Sequence, residues 1–254
     1  MIEFNELSVF FDSFIEKKNV LLENFYFDLH MHTTASDGDM DAKFMANFLD
    51  NKDYLVSITD HNEISGALEL KSKGFNIVPG IELGCSDGFE ILVYFKNFDD
   101  LEKFYNEEVK DYKNKRRMAK TLRTIDEYLD ILRGNYNVHI SIPHISGYAQ
   151  KNYLKNKSYI FDVLKKVDSL EIYNHSLSRK KNIIAKELRK RYNLSATFGS
   201  DAHSKRDIIS YSKYLNKEEI RFSKFIDKIY KIKSIGGIGQ KHILHFVNLK
   251  KTRA

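Results

Sequence analysis

Short apolar runs alternate with helical patterns along most of the chain, and this alternation narrows the possible folds more than any other feature. The apolar runs occupy residues 25–29, 54–58, 75–78, 90–95, 138–142, 169–173 and 195–198. Residues 41–50, 64–72, 101–133 and 180–192 lie between several of them and carry the three- and four-residue apolar spacing of helices. About seven strands with helices in between predict an α/β barrel or a related closed parallel sheet. Reactive groups in such folds gather where the strands end. The segment over 101–133 is long for a crossover, and a helical hairpin lying over the barrel mouth is expected there.

The length of 254 residues suits one large α/β domain better than two small ones. Phe4, Leu7, Phe10, Phe11, Phe14 and Ile15 predict an amphipathic helix over 4–16 that covers one end of the domain. Near the other terminus, Gly236, Gly237 and Gly239 lack the Lys-Ser/Thr of a phosphate-binding loop and read as a turn. No apolar run approaches the roughly 18 residues needed to cross a bilayer, and Glu3 and Glu6 stand where a signal peptide carries basic charge. No membrane partner and a cytoplasmic location are therefore expected. The single Cys85 agrees with a reducing compartment. It reads as a small buried residue, a metal-ligand role being the alternative because Glu82 lies three residues before it. Lys and Arg outnumber Asp and Glu by 41 to 35, an excess that favours phosphorylated or polyanionic ligands without establishing them.

The chemistry begins at residues 28–38, Asp-Leu-His-Met-His-Thr-Thr-Ala-Ser-Asp-Gly. His30 and His32 stand two apart at a strand end, so both imidazoles leave the same face. Asp37, on a turn with Gly38, can fold back toward the same ion or a neighbouring one. Similar transitions recur at Thr59-Asp60-His61, Pro79-Gly80-Ile81-Glu82 and Gly199-Ser200-Asp201-Ala202-His203. In each, an apolar run leads into polar side chains, so His30, His32, Asp37, His61, Glu82, Asp201 and His203 converge if the strands form one mouth. Such a carboxylate- and imidazole-rich set exceeds the needs of one ion and suits two or three divalent ions of the Mn, Zn or Fe type. Clustered ions lower the pKa of a bound water and neutralise a phosphate's charge, the chemistry of metal-assisted hydrolysis.

In order, Asp-Leu-His-x-His, Ser-Asp-Gly, Thr-Asp-His, Pro-Gly-Ile-Glu, Leu-Glu-Ile-Tyr-Asn and Gly-Ser-Asp-Ala-His resemble the motifs of the polymerase and histidinol phosphatase (PHP) domain family of metal-dependent phosphoesterases. The resemblance runs from Asp28 to about His203. It implies a distorted seven-stranded (β/α)7 TIM-like barrel over 25–215, with the helical insertion at about 99–134. An N-terminal helical extension over 1–24 and a C-terminal helix and tail over 216–254 complete the expected organisation. By motif, His30, His32, Glu82 and Asp201 correspond to the ligands of a first ion and Asp37, His61 and His203 to those of a second. Glu82 would bridge to a third ion held with His144 and one further residue.

That further residue departs from the pattern. Where family members usually place a His in the following strand, this chain has Glu90, which is either a carboxylate ligand or a solvent-facing residue. The Ile142-Pro143-His144 order is also reversed relative to the usual His-Pro. His144 is nevertheless the expected ligand and His139 a structural residue. Glu171 is expected to support the site rather than bind metal. The basic stretch Lys113, Lys115, Arg116, Arg117, Lys120 and Arg123 is either a solvated helix face or a phosphate clamp. Arg116 or Arg117, with Asn174 and Arg179, are the candidate substrate contacts.

The Asp-Leu-His-x-His-Thr and Ser-Asp-Gly style resembles the nucleotide phosphatase and exonuclease branch of that family, which implies a hydrolase acting on phosphate esters of nucleotides or short oligonucleotides through a metal-bridged hydroxide, with Asp37, His61 and His203 as catalytic candidates. A phosphatase for histidinol phosphate or another small molecule is the rival within that class. A non-catalytic, metal-stabilised module that binds nucleic acid or a partner protein is the rival outside it.

Overall fold

The computed structural model describes residues 25–215. The helix expected over 4–16 and the glycine turn near residue 237 lie outside the described residues.

The chain begins with β1 (Phe25–Asp28), α1 (Ala42–Leu49), β2 (Asp53–Val56) and α2 (Ser65–Ser72), a parallel β-α-β unit whose strands pair Phe25 with Asp53 through Asp28 with Val56. Asp41 caps α1 by accepting from the Phe44 N–H, while Glu63 does the same for the unpaired Ile64 and Ser65 N–H groups that open α2. A second sheet holds β3 (Gly80–Gly84), β4 (Glu90–Phe95), β5 (Val138–Ile142), β6 (Ser169–Asn174) and β7 (Ser195–Gly199), in that spatial order. Helices α3 (Phe98–Phe104) and α4 (Ile125–Asn135) lie between β4 and β5. The short α5 (Tyr153–Asn156) and α6 (Ile160–Val163) precede β6, α7 (Arg179–Tyr192) connects β6 to β7, and α8 (Lys205–Leu215) follows β7.

Two expectations change. The strands do not form one closed parallel sheet. They fall into a two-stranded and a five-stranded sheet joined by isolated parallel bridges, Met31 to Ala202 on one side and His61 to Glu82 on the other. Within the larger sheet β4 runs antiparallel to both β3 and β5. The connection from Gly84 to Glu90 is too short for the crossover a parallel neighbour needs. This reversal carries the first residue of β4, Glu90, to the rim where β3 and β5 end.

The strand expected over 75–78 is also displaced. Val78 donates a single bond to the Val56 carbonyl, and Pro79, with no N–H, interrupts any ladder there. Pairing starts at Gly80 opposite Tyr94, so Glu82 lies inside β3 rather than after it. All residues of β3, β4 and β5 are buried, including the polar Glu82, Glu90, His139 and Ser141 among their apolar neighbours. One core cluster, including Phe27, Met31, Met45, Val56 and Ile208, packs around the small sheet. Another, including Ile81, Phe89, Ile91, Phe104, Leu129 and Leu170, packs around the large one.

The insertion is not a helical hairpin. α3 passes into a π turn at Tyr105–Val109 and a 3-10 turn at Lys110–Tyr112, and helix resumes only at Ile125. The crowded charges of Lys113, Lys115, Arg116 and Arg117 have no apolar partners at helical spacing to bury. Asn114 instead closes a turn by accepting from the Arg116 and Arg117 N–H groups, and Thr124 with Glu127 forms a capping box that restarts the helix. The intervening strap docks on the end of β3, where the Thr121 N–H and hydroxyl both donate to the Gly84 carbonyl. A Cβ at Gly84 would stand 1.8 Å from the Ala119 carbonyl oxygen, so only glycine permits that approach.

Candidate metal centre

Beyond β1 the chain continues as Leu29-His30-Met31-His32, and bonds from the Asp201 N–H to the His30 carbonyl and from the His32 N–H to the Ala202 carbonyl hold it against the segment after β7. This pairing places His30, His32 and Asp201 side by side. Asp201 has φ of 54°, and the neighbouring rim residues Asn62 and His144 have φ of 52° and 32°. Left-handed backbone is costly for non-glycine residues, and its recurrence here marks a rim whose side-chain directions are fixed by the surrounding fold. Gly199 is required at the same place, because a Cβ there would meet the His30 Cβ at 2.3 Å.

The ligand-type atoms form a compact set. His30 Nε2 lies 3.4 Å from Glu82 Oε1 and 3.5 Å from Asp201 Oδ1. His32 Nε2 lies 3.4 Å from Glu82 Oε2 and 3.5 Å from the same Asp201 oxygen. Bonds of about 2.0–2.2 Å to one ion set ligand-to-ligand edges of roughly 3.3–3.6 Å in tetrahedral geometry. All four edges match.

Burial supplies an independent test. His30, His32 and Glu82 are fully buried, yet His30 Nε2, His32 Nε2, His61 Nδ1, Glu82 Oε2 and Asp201 Oδ1 have no hydrogen-bond partner. Buried polar atoms are normally satisfied, so a cluster of orphaned donors and acceptors aimed at common points fits divalent cations.

The surrounding hydrogen bonds fix which imidazole nitrogens face inward. With its ring proton on Nδ1, His30 donates to Glu171 Oε1 at 2.9 Å, which leaves Nε2 for coordination. His203 Nδ1 likewise donates to the Asp201 carbonyl at 3.0 Å, which turns Nε2 to within 3.3 Å of Asp37 Oδ1. Asp60 accepts from the Thr33 N–H, the Thr33 hydroxyl and the Ser36 hydroxyl, and so holds the loop that presents Asp37. Burial and the neighbouring His203 and His61 rings push His32 down to about 3, leaving it neutral, the form that binds metal. Burial would raise Glu82, but the His61 and His30 imidazoles outweigh it and hold this carboxyl well below its ordinary range.

The residues expected at the site meet in four overlapping groups. His32, Asp37, His61 and His203 make one; His30, His32 and Asp201 another; His30, Glu82 and His144 a third; His61, Glu82 and Glu90 a fourth. His32 therefore belongs with Asp37 and His203 as well as with His30, and its ring stacks on His203 at 4.1 Å. Glu90 points inward, 3.4 Å from His144 Nε2, and not to solvent. His139 hydrogen-bonds Ser169 Oγ and lies apart from these groups, while Cys85 is fully buried in the core.

The substrate-side residues are placed differently from one another. Asn174 is buried and donates to Glu171 and Asp201, bracing two carboxylates. Arg116, Arg117 and Arg179 are exposed. A cavity of about 470 Å³ adjoins His61 and is lined by Glu63, Lys110, Lys113, Asn114, Lys115 and Met118 among others. Lys113 in that wall is paired with Glu63 at 2.7 Å. Sequence reasoning missed Lys151, whose ammonium stands 3.0 Å from Glu90 Oε2. Burial would lower Lys151, but Glu90, Glu82 and Asp201 outweigh it and raise it far above its ordinary value. Its context, Tyr-Ala-Gln-Lys-Asn, carries no sign of a buried role.

No family model and no curated protein matches the chain. Solved structures do. A candidate metal-dependent phosphoesterase from Bifidobacterium adolescentis superposes with a TM-score of 0.54 at 14% identity, over 77% of this chain and 98% of its own. The lesion-specific endonuclease PfuEndoQ from Pyrococcus furiosus gives 0.56 at 20% identity, over 70% of this chain and 48% of its own. Endonuclease Q in complex with a 27-mer duplex carrying an abasic lesion at the active site gives 0.54 at 18% identity, over 70% and 49%. The chain spans about half the length of either endonuclease. No described helix is long and apolar enough to cross a membrane. In fold, this chain is similar to the metal-dependent phosphoesterases and to endonuclease Q, in keeping with the resemblance of its motifs to the PHP domain family.

Proposed function

We propose that the chain is a metal-dependent phosphoesterase that hydrolyses phosphate esters of nucleotides or short oligonucleotides. The observation that carries this reading is the set of orphaned, buried atoms His30 Nε2, His32 Nε2, Asp201 Oδ1 and Glu82 Oε2, with both imidazoles 3.5 Å from the Asp201 oxygen and 3.4 Å from one or the other Glu82 oxygen. Asp37, His61 and His203 fit a neighbouring ion. His144 and Glu90 flank a third position around Glu82.

When bound, divalent ions at such a centre supply a nucleophile from water at neutral pH and neutralise phosphate charge. The protein's own part is positioning. Glu171 holds His30 in one tautomer, Asn174 braces Glu171 and Asp201, and Asp60 presents Asp37. The cavity beside His61 opens next to these groups, and its wall carries Lys110, Lys113 and Lys115 against Glu63 and Asp111, with Lys113 paired to Glu63. Among similar folds, endonuclease Q is seen with a DNA duplex, which supports the nucleic-acid side of the reading for this chain.

Purified protein loaded with Mn²⁺ is expected to release phosphate from nucleoside bisphosphates or to cleave 5′-phosphorylated oligonucleotides. Activity should vanish with chelator and with Asp201→Ala. Protein that retains its metal and turns over neither substrate class would reject the substrate assignment. Turnover confined to histidinol phosphate or a sugar phosphate would redirect it.

A further inference from the structure

We propose that the Lys151 ammonium is a built-in cation of the metal centre, engaging the Glu90 carboxylate that would otherwise help His144 and Glu82 hold a further divalent ion, so that the chain holds two ions and not three. The inference rests on the metal-centre reading above and adds the number of ions and the residue that sets it.

Three observations place the ammonium there. The first is that Glu90 Oε2, a buried oxygen with no hydrogen bond of good geometry, faces two groups together, Lys151 Nζ at 3.0 Å and His144 Nε2 at 3.4 Å, so the ammonium answers it by charge. An ion held by this oxygen and by His144 would press against the ammonium, two positive charges competing for one carboxylate at the rim. The second concerns the loop that carries Lys151. Ser146 and Asn152 form an antiparallel bridge, the Lys151 N–H donates to the Tyr148 carbonyl, and the Tyr153 N–H donates to the Ile145 carbonyl. Lys181 Nζ closes the same loop on the Gly147 carbonyl at 2.7 Å.

The third ties loop and ligand together. The Glu90 N–H donates to the Tyr153 hydroxyl at 2.9 Å, two residues after Lys151, so the acid and the amine are set in register by one side chain. Tyr153 is fully buried and packs on the rings of Phe89 and His144. Lys151 itself is 38% exposed along its side chain and reaches in from the rim. A long flexible side chain over a strand end is ordinarily a solvated one. Here its head group is directed to a carboxylate that already has an imidazole beside it.

A lysine suits this place for a physical reason. An ammonium is a single charge without coordination geometry, so it neutralises Glu90 while leaving Glu82 to the ions on its other side. Glu82 is within 3.0 to 3.4 Å of nitrogens from His30, His32, His61 and His144, and cannot serve every neighbour as a full ligand.

The test is metal content of the full chain, measured by plasma mass spectrometry after equilibration with excess Mn²⁺ and removal of free ion. The unaltered protein is expected to hold two ions. Lys151→Met, which keeps the stem and removes the charge, is expected to hold three, and Lys151→Arg two. Circular dichroism reports whether each variant folds, and Lys151→Gln gives the same comparison if the Met variant does not. Three ions in the unaltered protein overturn the inference and leave the phosphoesterase reading standing. Two ions in the unaltered protein and in both charge-removing variants overturn it as well. A protein that takes up no metal overturns this inference and the metal-centre reading together.

Discussion

At the scale of single residues, the centre is organised by side chains that never need to touch an ion. Glu171 is fully enclosed, accepts from His30 Nδ1, the His144 N–H and the Asn174 amide, and thereby aims one imidazole and one loop at the same point. Groups that orient metal ligands typically matter by about 10–100-fold in affinity. Glu171→Gln is therefore expected to weaken metal binding in that range while the fold persists, as read by calorimetric titration with Zn²⁺ or Mn²⁺. Unchanged affinity would remove the orienting role.

His30, His32, His61, Asp201 and His203 were legible in the sequence because each lies just past an apolar run that the fold directs to one rim, whereas Asp37 on its turn and Glu82 inside β3 were legible by motif. Glu90 was legible as a position but not as a direction: only the antiparallel course of β4 turns it inward. Lys151 was not legible at all, since its neighbours in sequence are exposed or half-buried and its partner lies 61 residues earlier in the chain by the numbering of the two residues.

At the scale of elements, the strap over residues 113 to 121 is where sequence periodicity misled. Apolar residues near its two ends suggested a helical hairpin, but hydrogen bonds to Gly84 and from Asn62 determine its path. Gly84→Ala forces a Cβ against the strap's own backbone. A cost of about 1–3 kcal/mol is expected from this overpacking. The loss should appear in urea unfolding, together with altered protection of the strap in hydrogen exchange; a variant as stable as the parent would contradict the close approach.

Strand β5 contributes a pH dependence. Burial pushes the His139 imidazole down, so it is neutral in the fold and hydrogen-bonded to Ser169 Oγ at 2.9 Å. The unfolded chain takes up a proton at about pH 6.5 and below, where the fold does not. Stability therefore rises with pH in that window: the His139 contribution is complete above about pH 6.5 and is lost as pH falls toward the lowered folded value. His139→Gln should flatten the acid side of a melting-temperature profile taken between pH 5 and 8. An unchanged slope would assign the acid sensitivity to other groups.

At the scale of the whole molecule, two sheets with separate core clusters meet at single bridges, and both bridges lie beside ligand-type residues. Met31 to Ala202 falls between His32 and Asp201, and His61 to Glu82 joins two candidate ligands directly. Ions bound there would cross-link the two sheets at the seams where backbone pairing is thinnest. Ligand bound only to the folded state stabilises it by about 2.7 kcal/mol at a hundredfold excess over Kd. Chelation is accordingly expected to lower the melting temperature and to loosen both seams in hydrogen exchange, whereas an unchanged melting temperature would show that the ions do not join the sheets.

The strand count and the α/β class could be read from alternating runs, because periodicity reports which residues are buried. Closure could not be read, because it depends on register at two seams and on the direction of β4, neither of which leaves a periodic trace. The central claim is that His30, His32, Glu82 and Asp201 surround one metal ion. Anomalous diffraction from crystals grown with Mn²⁺ or Zn²⁺ tests it most directly. A peak within about 2.0–2.2 Å of both Nε2 atoms and of a Glu82 and an Asp201 oxygen is predicted, and the absence of a peak among these four side chains in metal-saturated crystals would contradict it.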